Sequence, residues 1–373
     1  MRSKTGKLAI LFLLLMSGGL AACQAKEKQP ASSTELSVST TQTTANWHEE
    51  PTETSTSKEK RLKIKKQDIT LVNWTMRHDV LQYNYKQTTT EAELQLYQQL
   101  MADILAQKAS IALSNSHDTN LKLVGLAQQN PLYFLIADFQ LAENNSKIIF
   151  TYRYDQEEQA RIMTEIEAEF NTIFNEVLRG DYNDLEKVLA LYQYFAKRIQ
   201  YDYAWYEAYS QLSAEEKLQL ILNKEDHGIN MYQALSSNQG VCHSYAYLMQ
   251  YALHQLEIEN VVVEAEEVEG TDGHAWNQIK LGENFYHFDL TWDSERTTTQ
   301  QLGSSLQYFG MTDDERQQER QFTSPIVEEA ITCNAETFQA FRSAEDFVLL
   351  GNHRVKLQLQ DGRNVVYDTN SLY

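Results

Sequence analysis

Cys242, His274 and Asp289 have the side chains that acyl-transfer chemistry needs, and each stands in a local sequence suited to its role. The stretches read Gly240-Val241-Cys242-His243-Ser244-Tyr245-Ala246, Gly273-His274-Ala275-Trp276-Asn277 and Phe288-Asp289-Leu290-Thr291-Trp292. A thiolate attacks an acyl carbon, an imidazole carries the proton, and a carboxylate fixes the imidazole's tautomer and orientation. Singly these residues say little, since a lone cysteine is more often an inert core residue. Their order and contexts together point to cysteine acyl chemistry.

These residues must be positioned by local elements. Tyr245, Leu248, Met249, Ala252, Leu253 and Leu256 recur on one face at a period near 3.6, which predicts a helix starting at Cys242. Gly240 would permit a tight backbone entry into it. In the first turn of that helix, unpaired amide N–H groups and the dipole favour negative charge, and so the thiolate. The same groups suit the oxyanion of a tetrahedral intermediate. Residues 274–281 and 285–291 read as strands of a hairpin about Gly282-Glu283-Asn284. With a two-residue loop, Leu281 pairs with Asn284, His274 lies opposite Thr291, and Asp289 projects from the face of His274. A three-residue loop would separate them.

Other histidines compete. His243 adjoins the cysteine, but consecutive helical residues point about 100° apart, which disfavours it as the base. His287 shares the face of Asp289 and is a reserve candidate, or a polar contact in the sheet. Cys242, His243, His274 and His287 have metal-ligand types, but the paired-cysteine spacing of structural zinc sites is absent. No metal and no cofactor are expected.

These blocks resemble the transglutaminase-like superfamily, a branch of the papain-like cysteine enzymes. The family pattern is a Gly-Val-Cys-x-Gly-Tyr-Ala block on a helix, Gly-His-Ala-Trp-Asn on a strand and Asp-x-Thr-Trp on the next. This chain is similar at Gly240, Val241, Cys242, Tyr245 and Ala246, from Gly273 through Asn277, and at Asp289, Thr291 and Trp292. Ser244 departs from the family's usual glycine, which would narrow the acyl cleft. Lys187 to Tyr203 and Tyr308 to Asp314 resemble segments that flank the core in bacterial members, so the likeness spans roughly residues 181–335. The resemblance implies Cys242 as nucleophile, His274 as base and Asp289 as orienter. It implies an α+β, papain-like transglutaminase core, with the cysteine helix packed on an antiparallel sheet that carries His274 and Asp289. Fold alone does not establish activity.

The chain has 373 residues, room for two modest domains. Arg2, Lys4 and Lys7 precede an apolar run from Leu8 to Met16, too short to span a bilayer, which reads as a secretory leader over 1–22. It ends Leu20-Ala21-Ala22-Cys23, which resembles the lipobox of bacterial lipoproteins and implies lipid on Cys23. Acyl chains there would hold the protein on the outer face of a membrane. Residues 23–60, dense in Ser, Thr, Glu, Gln and Lys, read as a disordered tether. Loss of Arg2, Lys4 and Lys7 with the leader takes the net charge from −20 to −23. That acidity argues against a nucleic-acid partner. Cys23, Cys242 and Cys333 are the cysteines, so a Cys242–Cys333 disulfide is the rival that would consume the nucleophile.

Residues 61–180 read as an α+β accessory domain, 181–345 as the transglutaminase-like domain and 346–373 as a terminal hairpin about Asp361-Gly362. In the first, a capping box at Thr90-Glu91-Ala92-Glu93 opens a helix through Lys108. Strands are predicted at 132–136 and 148–154, and a second helix over Ile162 to Val177. Tyr201, Tyr203, Trp205 and Tyr206 line the acyl cleft or pack as core. Glu264, Glu266, Glu267 and Glu269 either collect a cationic amine or form a solvated strand face. The expected function is acyl transfer on a glutamine carboxamide or peptide bond of a protein or peptide substrate. Hydrolysis by the same residues and a non-catalytic binding module are the alternatives.

Overall fold

In the computed structural model the described residues are 76–114, 116–142, 147–222, 229–266, 273–319 and 331–372. The leader, Cys23 and the Ser/Thr-rich segment lie outside them. No helix among the described residues is long and apolar enough to cross a membrane.

The first part runs α1 (Tyr83–Thr88), α2 (Glu91–Leu105), β1 (Ser110–Ile111), α3 (His117–Gln128), β2 (Ile136–Leu141), β3 (Ile148–Tyr152) and α4 (Gln156–Val177). Thr90 and Glu93 form the capping box, each satisfying the other's backbone N–H. Tyr97, Leu100, Met101 and Ile104 then fall on one buried face of α2. The strand expected at 132–136 is instead a 3₁₀ turn over Tyr133–Leu135, and β2 starts only at Ile136. Asn130 Oδ1 accepts the Leu132 amide at 2.9 Å, so an Asx turn curls the chain where the apolar run alone reads as extended. The three strands pair antiparallel in the order β1-β3-β2.

The second part begins with α5 (Asp184–Arg198), β4 (Gln200–Tyr201), α6 (Tyr203–Ser210), α7 (Ala214–Leu222), α8 (Met231–Ser237), β5 (Gln239–Gly240) and α9 (Cys242–Gln255). Asn183 caps α5 with Glu186 in a second capping box, and Lys197 and Arg198 complement the dipole in its last turn. After α8 the chain reverses at Asn238, whose φ of 59° is one that asparagine tolerates better than most residues. That reversal lays β5 parallel to β4, pairing Tyr201 with Gly240 just before Cys242. Along α9, Tyr245, Leu248, Met249, Ala252 and Leu253 are all buried. Each buried Leu or Met contributes roughly 1.5–3 kcal/mol by leaving water. Tyr251 packs at a tilt on Phe170 of α4 with ring centroids 5.0 Å apart, so one apolar core continues from the first part into the second.

The main sheet is β6 (Asn260–Glu266), β7 (Gly273–Leu281), β8 (Asn284–Phe288) and β9 (Phe309–Met311), paired antiparallel in that order. Leu281 pairs with Asn284, and Gly282 has φ of 61°, as a two-residue hairpin turn requires. The hairpin ends sooner than expected. β8 stops at Phe288, and α10 (Leu290–Thr299) follows, so Asp289, Thr291 and Trp292 do not continue the strand. α11 (Asp313–Glu319) comes after β9, and β10 (Ala344–Leu349), β11 (Arg354–Leu359) and β12 (Asn364–Asp368) form a terminal meander. The turn about Asp361-Gly362 joins its last two strands, with Gln358 paired to Asn364.

Candidate active site

Cys242 is the first residue of α9, with Val241 at the N-cap. Its side chain is buried in an apolar cluster with Tyr206, Tyr209, Val241, Ala246, Val262 and Ala275. Tyr201 and Trp205 pack against that cluster, whereas Tyr203 is exposed and outside it. Gly240 matters here for a steric reason. A Cβ on it would lie 2.7 Å from Ser244 Cβ and 2.9 Å from Ser244 Oγ. Ser244 therefore packs back on the β5 backbone, and its side chain is spent on the entry to the helix rather than on the cleft.

His274 lies near the start of β7, opposite Ala265 of β6. Its neighbour Ala275 shares the Cys242 cluster, and Asn277 Nδ2 donates to Ala246 O at 3.0 Å, which fastens β7 to α9. Asp289 is the N-cap of α10: its Oδ1 accepts the Trp292 amide at 3.2 Å. Its Oδ2 lies 2.6 Å from His274 Nε2, and both side chains are buried. The two meet although Asp289 has left the strand. The His274 ring is stacked on Trp292 at 4.8 Å and on Trp276 at 5.8 Å between centroids.

Arg316 of α11, unmarked by any sequence signal, completes this group. Its Nη2 is 3.5 Å from Asp289 Oδ2, and its guanidinium lies 4.3 Å from the Trp276 ring and 4.4 Å from that of Trp292. Burial pushes the Asp289 carboxyl up. The charge and hydrogen bond of His274, then Arg316 and the Trp292 amide, outweigh that, so Asp289 stays below the ordinary aspartate range. An ionised carboxylate bonded to Nε2 fixes the tautomer and ring plane of the imidazole.

His243 is not turned away from the thiol. Its Nδ1 is 3.6 Å from Cys242 Sγ, and its Nε2 is 3.4 Å from Glu264 Oε1. The angular spacing of a helix governs where Cβ atoms point, and an imidazole in the first turn of a helix can swing back towards its neighbour. Glu264 is itself buried and accepts the Tyr247 hydroxyl at 3.0 Å. It is therefore neither a solvated strand face nor a docking point for an amine. Glu267 and Glu269 lie outside the described residues. A glutamate on the helix-facing side of the valine-rich run Val261-Val262-Val263-Glu264-Ala265 was the sequence signal for this pair.

His287 stands in a separate cluster. Trp276 Nε1 donates to its Nδ1 at 2.8 Å, so Nε2 carries the proton and donates to Asp313 Oδ1 at 2.8 Å. Burial, the largest influence, lowers the His287 pKa. Cys333 lies close by, its Sγ accepting Gln278 Nε2 at 3.2 Å, and burial pushes its thiol well up. These three side chains are near enough for a metal. Both His287 nitrogens are engaged, by Trp276 and Asp313, and Cys333 Sγ accepts Gln278, so hydrogen bonds hold the three side chains together. His287 is thus a polar contact, not a reserve base. Cys242 and Cys333 are both free thiols, which overturns the disulfide alternative.

Residues 171–290 match the family model of the transglutaminase-like superfamily, so this stretch, which holds Cys242, His274 and Asp289, is a transglutaminase-like domain of mixed helices and antiparallel sheet. No curated protein matches the chain. Among solved structures, a transglutaminase is similar at 18% identity over 37% of this chain and 33% of its own, with a TM-score of 0.29. A candidate cysteine protease from Cytophaga hutchinsonii is similar at 17% identity over 35% of this chain and 42% of its own, with a TM-score of 0.24. The likeness thus spans less than half of either neighbour, and at these scores it carries no argument about activity.

Proposed function

We propose that this chain is a surface lipoprotein, anchored through Cys23, whose transglutaminase-like domain performs cysteine-dependent acyl transfer with Cys242, His274 and Asp289. The observation that supports it best is the buried 2.6 Å bond between His274 Nε2 and Asp289 Oδ2, on a strand packed against the helix that Cys242 begins. The Cys242 thiolate attacks the carbon of a glutamine carboxamide or peptide bond in a protein or peptide. His274, its Nε2 bound to Asp289, uses Nδ1 to protonate the departing amine. An amine then attacks the thioester, loses its proton to His274 and releases the product. None of these steps calls on a cofactor.

Hydrolysis by the same residues is a reading with an observation in its favour. Glu264, one of the acidic residues that could gather a cationic amine, is already engaged by His243 and Tyr247. A glutamine-peptide assay with a labelled primary amine separates the two. Wild type incorporates label, and Cys242→Ala and His274→Ala do not. Ammonia release without incorporation at saturating amine assigns a hydrolase. No turnover with either acceptor over a broad peptide panel leaves a binding module. Anchoring is tested by the mature N-terminus, expected at lipidated Cys23.

A further inference from the structure

Cys242 Sγ, His243, Glu264 and Tyr247 form a continuous hydrogen-bonding chain that the transfer steps above do not use. Glu264 Oε1 sits 3.4 Å from His243 Nε2 and accepts the Tyr247 hydroxyl at 3.0 Å. A carboxylate at Nε2 holds the proton there, which leaves the lone pair of the neutral imidazole on Nδ1, 3.6 Å from the sulfur. This is a nucleophile, a base and a group that orients the base. It lies mostly out of solvent: His243 is 6% exposed and Glu264 9%. Burial pushes the Glu264 carboxyl up, but the charge and hydrogen bond of His243 and the Tyr247 hydroxyl overcome it and hold the group below the ordinary glutamate range. The titratable groups around His243 are Cys242 and Tyr247 on its own helix and Glu264 from β6. Tyr206 and Tyr209 of α6 border the thiol, and Tyr85 of α1 acts on Tyr247. Among the described residues, Glu264 is the only carboxylate that faces His243.

We propose, resting on Cys242 as the nucleophile, that His243 is a second base for that thiol and that Glu264 is its positioning residue. The S–H bond breaks, an Nδ1–H bond forms on His243, and the electron pair stays on sulfur. The imidazolium so formed is held by Glu264. The thiolate then exists before any proton moves at His274. His274 enters protonated, gives its proton to the departing amine and regains one from the incoming amine. Cleavage of the thioester returns the electron pair to sulfur and restores the resting pair with His243.

The test is the pH dependence of iodoacetamide alkylation of Cys242, read by peptide mass spectrometry on the full chain. The proteins compared are wild type, His274→Ala, His243→Gln, Glu264→Gln and the double variant His274→Ala/His243→Gln. His274→Ala is expected to lose amine incorporation yet keep alkylation within about threefold of wild type at pH 6, whereas the double variant loses it. Glu264→Gln is expected to move the acid limb upward by about one pH unit, roughly a tenfold slower reaction on that limb. Should His243→Gln fail to fold, Glu264→Gln carries the same test without touching the first turn of α9. Alkylation profiles of Glu264→Gln and His243→Gln that match wild type, with loss in His274→Ala alone, overturn this inference and leave the acyl-transfer reading standing. A wild-type Cys242 that reacts no faster than a thiol in the denatured chain overturns both.

Discussion

Asp289→Asn isolates what the buried carboxylate does. Asparagine caps helices about as well as aspartate, so the bond from the Trp292 amide to Oδ1 survives and α10 keeps its start. The other oxygen is the one that changes. Where Oδ2 now meets His274 Nε2 at 2.6 Å and Arg316 Nη2 at 3.5 Å, the amide places an N–H against two donors. Arg316 is 3% exposed and loses the carboxylate charge of Asp289, and removing one partner of a buried ion pair costs about 3–5 kcal/mol. Asp289→Ala removes the cap as well and is expected to cost about 1 kcal/mol more. In Arg316→Met/Asp289→Asn the cation that faces the altered side chain is gone as well, so the losses of the two single variants fall well short of additive. Urea unfolding at pH 7 measures wild type, the two Asp289 variants, Arg316→Met and the double variant. The sign of the pH dependence follows from Asp289 lying below the ordinary aspartate value near 3.8. Its contribution is complete above that value and is lost as pH falls through the lower, folded one. The gap between wild type and Asp289→Asn therefore holds steady from about pH 5 to 8 and closes below about pH 4. Amine incorporation by Asp289→Asn is expected to fall by a factor on the order of 10³–10⁴, because the imidazole loses its tautomer constraint. A variant within about 1 kcal/mol of wild type that retains activity would refute the reasoning.

Gly240→Ala is expected to cost about 1–3 kcal/mol by pressing its Cβ onto Ser244, and Ser244→Gly in the same chain to recover most of it, by thermal melting. Asp293 is a separate test of burial. Tyr192, Ser305 and the Tyr308 amide all donate to it, yet burial raises its carboxyl from 3.8 to about 6. The folded chain therefore holds this proton more tightly than the unfolded one, and stability from this group falls as pH rises from 3.8 through 6. Asp293→Asn should flatten that window and gain on the order of 2 kcal/mol over wild type at pH 8, measured by urea unfolding.

The sequence carried the hairpin well because a two-residue turn fixes register arithmetically, and Leu281 does pair with Asn284. It carried α9 equally well, since an apolar face of that length has no extended counterpart. Strand parity puts Asp289 beside His274, but a helix cap is what holds it there. The run Phe-Asp-Leu-Thr-Trp looks extended by its aromatic and branched residues, but aspartate ahead of it also suits an N-cap, and the helix won. Helical spacing alone points His243 away from the thiol, but backbone geometry sets where a side chain starts and not where a long ring ends. Arg316 could not be found by local pattern at all. It stands in an acidic helix, and the carboxylate and indoles it meets come from β7 and the start of α10. Buried charge pairing of this kind is a property of the assembled fold.

The most direct test of acyl transfer is intact-mass and peptide mapping after an acid quench of the protein with a glutamine-containing peptide and no amine. An adduct of the peptide less ammonia, confined to the peptide that carries Cys242 and removed by hydroxylamine, is the expected result. Cys242→Ala should show none. A wild-type protein whose Cys242 alkylates readily but never carries an acyl group, across glutamine and peptide-bond donors alike, would contradict the assignment.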